Sequence, residues 1–179
     1  MRNLKLQRCC STQIMTNPTS QIMKTTNTEP TNRSAISEVK NGLGRLLANT
    51  YSLLAATHHA HWNVEGKGFF HLHAAFEEQY NELFAASDEI AERVRALGAY
   101  TPGGLRRLAE LSSIQDPEEP GPGKEFVASL AEAHEVVISD AKKLRDTCET
   151  AGDLETQDLV IARIQVHEKT LWMLRSHLK

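Results

Sequence analysis

Five of the eight histidines lie between positions 58 and 73, and this cluster is the part of the sequence that most suggests chemistry. His61 is predicted in the last turn of one helix and His73 in the first turns of the next. An antiparallel hairpin therefore places both imidazoles at the same end of the pair. Glu77 follows His73 by four residues and lies on the same helix face. Two imidazoles and a carboxylate can converge there, which indicates a metal site.

A second pair of acids, Asp88 and Glu92, lies further along the same predicted helix. The step from Glu77 to Asp88 is close to three whole turns, so both acids share one stripe with His73. The same step covers roughly 16 Å along the helix axis, which is too far for one metal ion to contact both Glu77 and Asp88. Imidazole and carboxylate ligands without sulfur are typical of sites for iron(II), zinc or manganese.

The separation of the two groups predicts a site shared between subunits. A partner subunit related by a two-fold axis, with this helix antiparallel, would bring its Asp88 and Glu92 to His61, His73 and Glu77. Isologous contacts build such sites in pairs. The alternative di-iron design within one bundle needs E-x-x-H on two helices, and that motif is absent from the sequence, as is H-E-x-x-H.

Long helices must position these groups. Apolar residues recur at three- and four-residue steps over 36–61, 72–97, 126–148 and 160–178, with Asn32 or Ser34 available as the first cap. Residues 105–111 are predicted as a short helix inside the connection between the second and third long helices. Residues 116–123 contain three prolines and two glycines and predict a break.

Four helices of about 25 residues predict an all-α four-helix bundle. The connection between the second and third helices is long enough to run the length of the bundle, so an up-down-down-up order with one crossover is favoured, as in ferritin-like folds. We assign this bundle to residues 34–179. Residues 1–33 are rich in Thr, Asn, Ser and Gln, show no periodicity, and are predicted as a flexible N-terminal arm.

Composition narrows the class of protein. The chain has 179 residues and a net charge of −3. No apolar run approaches the roughly 20 residues that span a bilayer, and none near the N-terminus fits a secretory signal, so a cytoplasmic protein is expected. Three cysteines, two of them adjacent at Cys9 and Cys10, make a disulfide framework unexpected. The arm carries a charge of +4 and the remainder −7.

Several motifs with fixed spacing occur together between positions 57 and 98. The segment resembles the signature of the Dps family of mini-ferritins (DNA-binding proteins from starved cells), and the residues that carry the resemblance are His61-Trp62-Asn63-Val64, Gly66, Phe69, Leu72-His73, Phe76-Glu77, Asp88-Glu89-Ile90-Ala91-Glu92-Arg93 and Leu97-Gly98. One position departs from the pattern, because the family usually has Asp where this chain has Glu77. The extra methylene moves the carboxylate by about one bond length.

The resemblance implies a hollow shell of twelve subunits that oxidises iron(II), preferably with hydrogen peroxide, and stores the ferric mineral inside. It implies that His61, His73 and Glu77 of one subunit bind iron together with Asp88 and Glu92 of its partner. Trp62 would lie beside this di-iron site, where its indole can intercept a stray radical. The expected result is protection of DNA and protein from iron and peroxide.

Other polar residues carry weaker predictions. His58, one turn from His61, is the first candidate for an auxiliary ligand, ahead of His59 and His71. His134 and His167 fall on the apolar stripes and are predicted as hydrogen-bonded core or interface groups, and Cys148 as a packing residue. Asp88 and Glu92 have an alternative interpretation as solvated acids or salt-bridge partners of Arg93 or Arg95.

Three acids crowd the start of the last helix, at Asp153, Glu155 and Asp158. Capping is the default interpretation, because the helix dipole favours negative charge there. In the shell that the resemblance implies, the same acids are candidates to line a three-fold pore that draws iron(II) inward.

Two further functions remain open at this stage. One is sequence-independent DNA binding through the basic arm, which would be steeply salt-dependent. In this alternative the protein is a nucleoid-associated DNA-binding protein whose metal site is vestigial or occupied by zinc. A start at Met23 would leave the arm a charge of only +1 and argue against it. A third hypothesis is an oligomer held by zinc without turnover.

Overall fold

The computed structural model describes residues 30–115 and 122–179, with side chains from residue 33 onward. All regular structure in these ranges is helical, which confirms the predicted all-α, ferritin-like fold. The helices are α1 (Pro30–Asn63), α2 (Phe69–Ala96), α3 (Leu105–Leu111), α4 (Gly123–Ala151) and α5 (Leu154–Leu178). Most of the predicted arm and residues 116–121 of the predicted break lie outside the described ranges.

Helix α1 begins at Pro30, four residues before the predicted start at 34. Proline suits the first helical position, because its fixed φ matches the helix and its missing N–H is not needed there. The helix ends at Asn63, two residues after the last position of the predicted stripe. Gly66 and Gly68 both have positive φ, at 78° and 86°, so the turn into α2 uses a backbone conformation that other residues adopt only at a cost.

The connection between α4 and α5 is a tight turn. Gly152 adopts a left-handed conformation after α4, which is a common helix end. The Asp153 side chain then caps α5 by accepting a hydrogen bond from the backbone N–H of Thr156 at 3.1 Å.

Contacts between helices establish the order of the bundle. In α1 and α4, Gly42 approaches Leu144 while His59 contacts Phe126, so these two helices are antiparallel. Helix α2 is also antiparallel to α1, because His61 contacts His73 across the short turn. Helices α2 and α4 therefore run in the same direction, and the predicted up-down-down-up order with α3 in the crossover is confirmed.

The crossover is held to the bundle by a polar link. The Asn49 side chain on α1 accepts a hydrogen bond from the Ser113 backbone N–H at 2.7 Å and donates to Asp140 on α4 at 3.2 Å. The Ser113 hydroxyl also donates to Asp140, at 2.8 Å. This link fixes the C-terminal end of α3 against the face where α1 and α4 meet.

The core consists of apolar side chains from all five helices, among them Leu43, Phe76, Leu108, Val137 and Val160. Among the described glycines, Gly42 is the most closely packed, because an added Cβ would lie 2.5 Å from Leu144 Cδ1. Cys148 is fully buried, as predicted for a packing residue. In the described part of the chain, no helix is both long and apolar enough to cross a membrane.

Candidate metal centre

His61 and His73 form a reciprocal pair at the end of the α1–α2 hairpin. The Nδ1 atom of His61 lies 2.9 Å from the carbonyl oxygen of His73, and the Nδ1 atom of His73 lies 2.9 Å from the carbonyl oxygen of His61. The two rings stack with their centroids 3.7 Å apart. The predicted meeting of these two imidazoles is therefore present in the single chain.

The backbone partners fix the tautomer of both rings. A carbonyl oxygen only accepts hydrogen bonds, so each Nδ1 carries the hydrogen and each neutral imidazole keeps its lone pair on Nε2. Each Nδ1 is turned toward the backbone of the neighbouring helix, and neither Nε2 atom has a hydrogen-bond partner among the described residues. Metal-binding histidines in proteins are held in this way, with the second ring nitrogen donating to a carbonyl or carboxylate.

Aromatic side chains surround the pair. Tyr80 contacts His61 edge-on, with ring centroids 5.2 Å apart, and contacts His58 at 4.1 Å. His58 in turn stacks on Trp62 at 5.1 Å, while Phe69 stacks on His73 at the same separation. The His58 ring therefore lies between the rings of Tyr80 and Trp62.

The three predicted carboxylate ligands are exposed. Glu77, Asp88 and Glu92 all lie on the surface of α2, and none of them forms an ion pair with another described residue. Arg93 pairs with Asp153 at 2.7 Å and Arg95 donates to a backbone carbonyl at 2.9 Å, so the alternative in which these arginines neutralise Asp88 and Glu92 does not match the geometry.

A single chain does not complete a metal site in the described ranges, where no three His, Cys, Asp or Glu side chains are grouped closely enough to hold an ion. Glu77 extends into solvent from α2 and does not close on the imidazole pair. Asp88 borders a groove on the same α1–α2 face, among Tyr51, Phe84 and Ala91. The structure therefore presents an imidazole pair and, further along α2, exposed acids.

The predicted pore acids have different environments. Asp153 is buried, and besides capping α5 it accepts a hydrogen bond from the Thr156 hydroxyl at 2.6 Å and pairs with Arg93. Burial opposes ionisation of this carboxyl, but the hydrogen bonds from Thr156 and the charge of Arg93 outweigh it and hold the pKa of Asp153 below its ordinary value. Glu155 and Asp158 are exposed. Of the three predicted pore acids, these two are therefore the exposed ones.

The remaining histidines of the cluster are separate from the pair. His59 packs edge-on against Phe126, with centroids 5.5 Å apart, and its Nδ1 atom has no hydrogen-bond partner in the described residues. His71 is exposed on the first turn of α2. Neither ring contacts His61 or His73.

A family model for the ferritin-like domain matches residues 40–179. The chain is 33% identical over 136 residues to DNA protection during starvation protein 2 of Bacillus anthracis, an alignment that covers 76% of this chain and 93% of the relative. The chain belongs to the Dps family. Its fold superposes on the crystal structure of a Dps protein from Bacillus brevis with a TM-score of 0.80 at 34% identity, covering 82% of this chain and 98% of the other.

A second solved structure agrees with this assignment. The Dps protein of Vibrio cholerae O1, described as a member of a broad superfamily of ferritin-like diiron-carboxylate proteins, matches with a TM-score of 0.79 at 30% identity and covers 82% of this chain and 92% of the other. The resemblance seen in residues 57–98 is therefore confirmed, and it extends over the whole bundle.

Sequence patterns did not reveal two features of this Dps chain. Tyr80 lies seven residues after His73, on the same helix face, and that spacing was the available signal for its place beside His61. The second feature is a polar cluster inside the bundle, in which the buried Arg163 on α5 pairs through both terminal guanidinium nitrogens with the partly exposed Glu82 on α2. No local spacing connects residues so far apart in sequence.

Two core histidines complete the buried cluster, as predicted for hydrogen-bonded core groups. Arg163 donates to His167 Nε2 at 3.4 Å, so His167 carries its hydrogen on Nδ1. That hydrogen is donated to His134 Nδ1 at 3.0 Å, which leaves the His134 hydrogen on Nε2, an atom without a partner among the described residues. Burial, and then the charge of Arg163, lowers the pKa of His134 to about 4. The cluster contains one cation, one anion and two neutral imidazoles.

Proposed function

We propose that this protein oxidises iron(II) with hydrogen peroxide at di-iron sites on a two-fold subunit interface, and that it stores the ferric product inside a shell of identical subunits. The observation that carries this proposal is the reciprocal His61–His73 pair, whose rings are held by the backbone through Nδ1 and whose Nε2 atoms have no hydrogen-bond partner in the part of the chain that the structure describes. The family assignment supports iron storage, and the description of the Vibrio cholerae relative supports a diiron-carboxylate site.

The roles of the residues follow from their chemistry. His61 and His73 offer neutral nitrogen ligands, and Glu77 adds a carboxylate from the same subunit. Asp88 and Glu92 of the partner subunit supply the remaining negative charge, which binds the product more tightly than the substrate because the ferric ion carries the larger charge. Glu77 is exposed and can turn toward the imidazoles when iron(II) arrives.

Two ions at one site explain the choice of oxidant. Hydrogen peroxide accepts one electron from each of two iron(II) ions, its O–O bond breaks, and two protons complete two molecules of water. A single iron(II) ion supplies only one electron, and the same bond then breaks to give a hydroxyl radical. Trp62 follows His61 in the chain and stacks on His58, and its indole can reduce a radical that forms at a half-filled site.

Assembly and DNA protection belong to the same proposal. We infer a dodecamer of two-fold dimers, with Glu155 and Asp158 lining the path by which iron(II) enters. The Bacillus anthracis relative is named a DNA protection protein, and removal of iron(II) and peroxide provides that protection without direct DNA contact. Direct binding through the basic arm stays a prediction, since residues 1–29 lie outside the described ranges.

The activity is tested by anaerobic loading of the metal-free oligomer with iron(II), followed by one addition of hydrogen peroxide. Ferric absorbance and residual peroxide are followed together. We expect one hydrogen peroxide to be consumed for every two iron(II) ions oxidised. His61→Ala and Asp88→Asn should each abolish the oxidation that is faster than in buffer. The control is His71→Ala, which removes an exposed histidine of the same cluster that touches neither ligand ring. Oxidation by the wild-type protein no faster than in buffer would refute the proposal.

Mixing the two inactive variants tests the shared site separately. When His61→Ala and Asp88→Asn subunits are unfolded and refolded together, half of the dimers contain one subunit of each kind. In such a dimer both defects fall in one site and the other site is intact, because isologous sites occur in pairs. Activity should return to about a quarter of the wild-type value. No recovery would place all ligands in one chain.

A further inference from the structure

The polar cluster inside the bundle is organised around one cation. The guanidinium of Arg163 pairs with the Glu82 carboxylate through both of its terminal nitrogens. One of these two nitrogens also donates to His167 Nε2. Arg163 is 6% exposed and His167 is 0% exposed, so the guanidinium is held between α2 and α5 by an anion on one helix and an imidazole lone pair on the other.

The groups that bind this guanidinium are also metal ligands by type. A carboxylate and a neutral imidazole with its lone pair on Nε2 are typical ligands of divalent transition metals. His167 is oriented as metal-binding histidines are, because its other ring nitrogen donates to His134 Nδ1 at 3.0 Å. His61 and His73 are oriented in the same way by backbone carbonyls. The cluster therefore has the donor atoms of a metal site, with an organic cation among them.

A further oxygen donor lies at the same level of the bundle. Gln79 precedes Glu82 by three residues, so the two side chains are neighbours on α2. Helices α2 and α5 run antiparallel, because the two arginine–carboxylate pairs that join them are in reverse order along the two helices. Gln79 therefore lies at the level of His167. The Oε1 atom of Gln79 is buried without a hydrogen-bond partner among the described residues, which is costly for a polar atom.

We propose that the Arg163 guanidinium occupies the place of a divalent transition metal inside the bundle, in a site whose ligands are Glu82, His167 and Gln79. The guanidinium keeps such ions out of the bundle interior, because it fills their place and its positive charge repels a second cation. This site lies within one chain, and the inference does not depend on the centre proposed at the subunit interface. Its ligand class is a divalent metal that accepts mixed nitrogen and oxygen donors, with cobalt(II) and zinc as probes.

The distances in the cluster suit this exchange of cations. One terminal nitrogen of Arg163 lies 3.0 Å from Glu82 Oε2 and 3.4 Å from His167 Nε2. A zinc ion at that point needs distances of about 2.0–2.2 Å, so each donor would close by roughly 1 Å. With Arg163 in place, the His, Cys, Asp and Glu side chains of the described ranges form no group of three close enough to hold an ion. The Glu82 side chain is 39% exposed, so water can reach the site and complete the coordination.

Stability alone explains this ion pair poorly. Apolar residues of similar volume often stabilise a protein as well as a buried ion pair does, because the charges lose their hydration. Removal of one partner is different, since it leaves the other charge without compensation. Truncation of Arg163 therefore leaves Glu82 and the His167 lone pair directed at an empty place, and a metal ion that binds there restores the missing positive charge.

Cobalt(II) spectroscopy of Arg163→Ala tests the site, in a His61→Ala, Asp88→Asn background that disables the centre proposed at the interface. We expect Arg163→Ala to bind one more cobalt(II) ion per chain than the background protein, with the intense visible absorption of a site of low coordination number. Zinc should displace this cobalt. Zinc should also raise the urea midpoint of Arg163→Ala and leave that of the background protein unchanged, because a ligand that binds only the folded state stabilises it.

Matched variants identify the ligands. Arg163→Lys keeps a cation in the cluster and should bind no additional cobalt. Added to Arg163→Ala, His167→Leu should abolish the cobalt absorption and Glu82→Gln should weaken it, whereas Glu78→Gln, an exposed acid one turn earlier on α2, should leave it unchanged. If Arg163→Ala is only partly folded, zinc should restore its helical circular dichroism. The inference would be overturned by the lack of an additional cobalt ion, by absorption that survives His167→Leu, or by a partly folded variant that zinc does not restore.

Discussion

Acid should destabilise this protein through the two histidines in the bundle centre. The pKa of His134 is lowered from 6.5 to about 4, chiefly because the ring is buried and then because Arg163 places a positive charge nearby. His167 is fully buried against both groups, and its pKa is lowered in the same direction. In the unfolded chain both imidazoles bind a proton near their ordinary pKa.

The sign follows from proton binding. Between pH 6.5 and 4 the unfolded state holds a proton on His134 that the folded state does not, so the free energy of unfolding falls as pH falls through this range. A shift from 6.5 to about 4 corresponds to about 3 kcal/mol at 1.36 kcal/mol per pKa unit. His167 adds to this loss, because burial, and then the charges of His134 and Arg163, lower its pKa as well.

Urea denaturation of the wild type and His134→Gln at several pH values between 8 and 4 measures the effect, at one fixed protein concentration because assembly contributes to stability. Glutamine retains an acceptor for the His167 hydrogen but cannot bind the proton. We expect the variant to be less stable at pH 8 and to lose about 3 kcal/mol less than the wild type on acidification. His71→Gln, at an exposed position, is the control. Equal pH dependence in wild type and His134→Gln would refute the reasoning.

Three further predictions concern packing and capping. Gly42→Ala should lower the free energy of unfolding by about 1–3 kcal/mol through overpacking, because its Cβ would lie 2.5 Å from Leu144 Cδ1. The control is Gly103→Ala, which places its Cβ in open space and should leave the urea midpoint unchanged. Burial raises the pKa of the Cys148 thiol to about 11. In a Cys9→Ser, Cys10→Ser background, thiol reagents should therefore label Cys148 only as fast as the protein unfolds. Rapid labelling at pH 8 would contradict its burial. Asp153→Ala should lower the melting temperature, measured by circular dichroism, because it removes a helix cap worth about 1 kcal/mol together with the partner of Arg93. An unchanged melting temperature would contradict both roles.

The sequence predicted most of the fold because local patterns determine it. Apolar residues at helical spacing located all four long helices, and the length of the crossover, rather than any tertiary contact, predicted the up-down-down-up order. The predicted start of α1 lies four residues after the observed one, because Ser34 and Asn32 are good caps while Pro30 also suits the first helical position. Helix ends are harder to predict than the helices themselves, because each end depends on one residue and neighbouring residues are often equally good caps.

Local patterns also predicted part of the candidate site. Spacing predicted that His61 meets His73, since a short turn allows little else, and it predicted the shared stripe of Glu77 and Asp88. It did not predict the exchange of hydrogen bonds with backbone carbonyls, which requires a specific distance between α1 and α2. The Glu82–Arg163 pair was missed because its partners are 81 residues apart, and only the packed bundle brings them together.

The exchange of hydrogen bonds between His61 and His73 has a consequence for iron affinity. A flexible histidine must lose rotamer freedom when it binds a ligand, at about 0.5–1.5 kcal/mol for each side chain that becomes immobile. In this protein both rings lose that freedom when the hairpin folds, before any metal arrives. The same hydrogen bonds couple the ring positions to the distance between α1 and α2. Iron bound between subunits should therefore slow the local opening of this hairpin, and amide hydrogen exchange in the 61–73 turn should report metal occupancy.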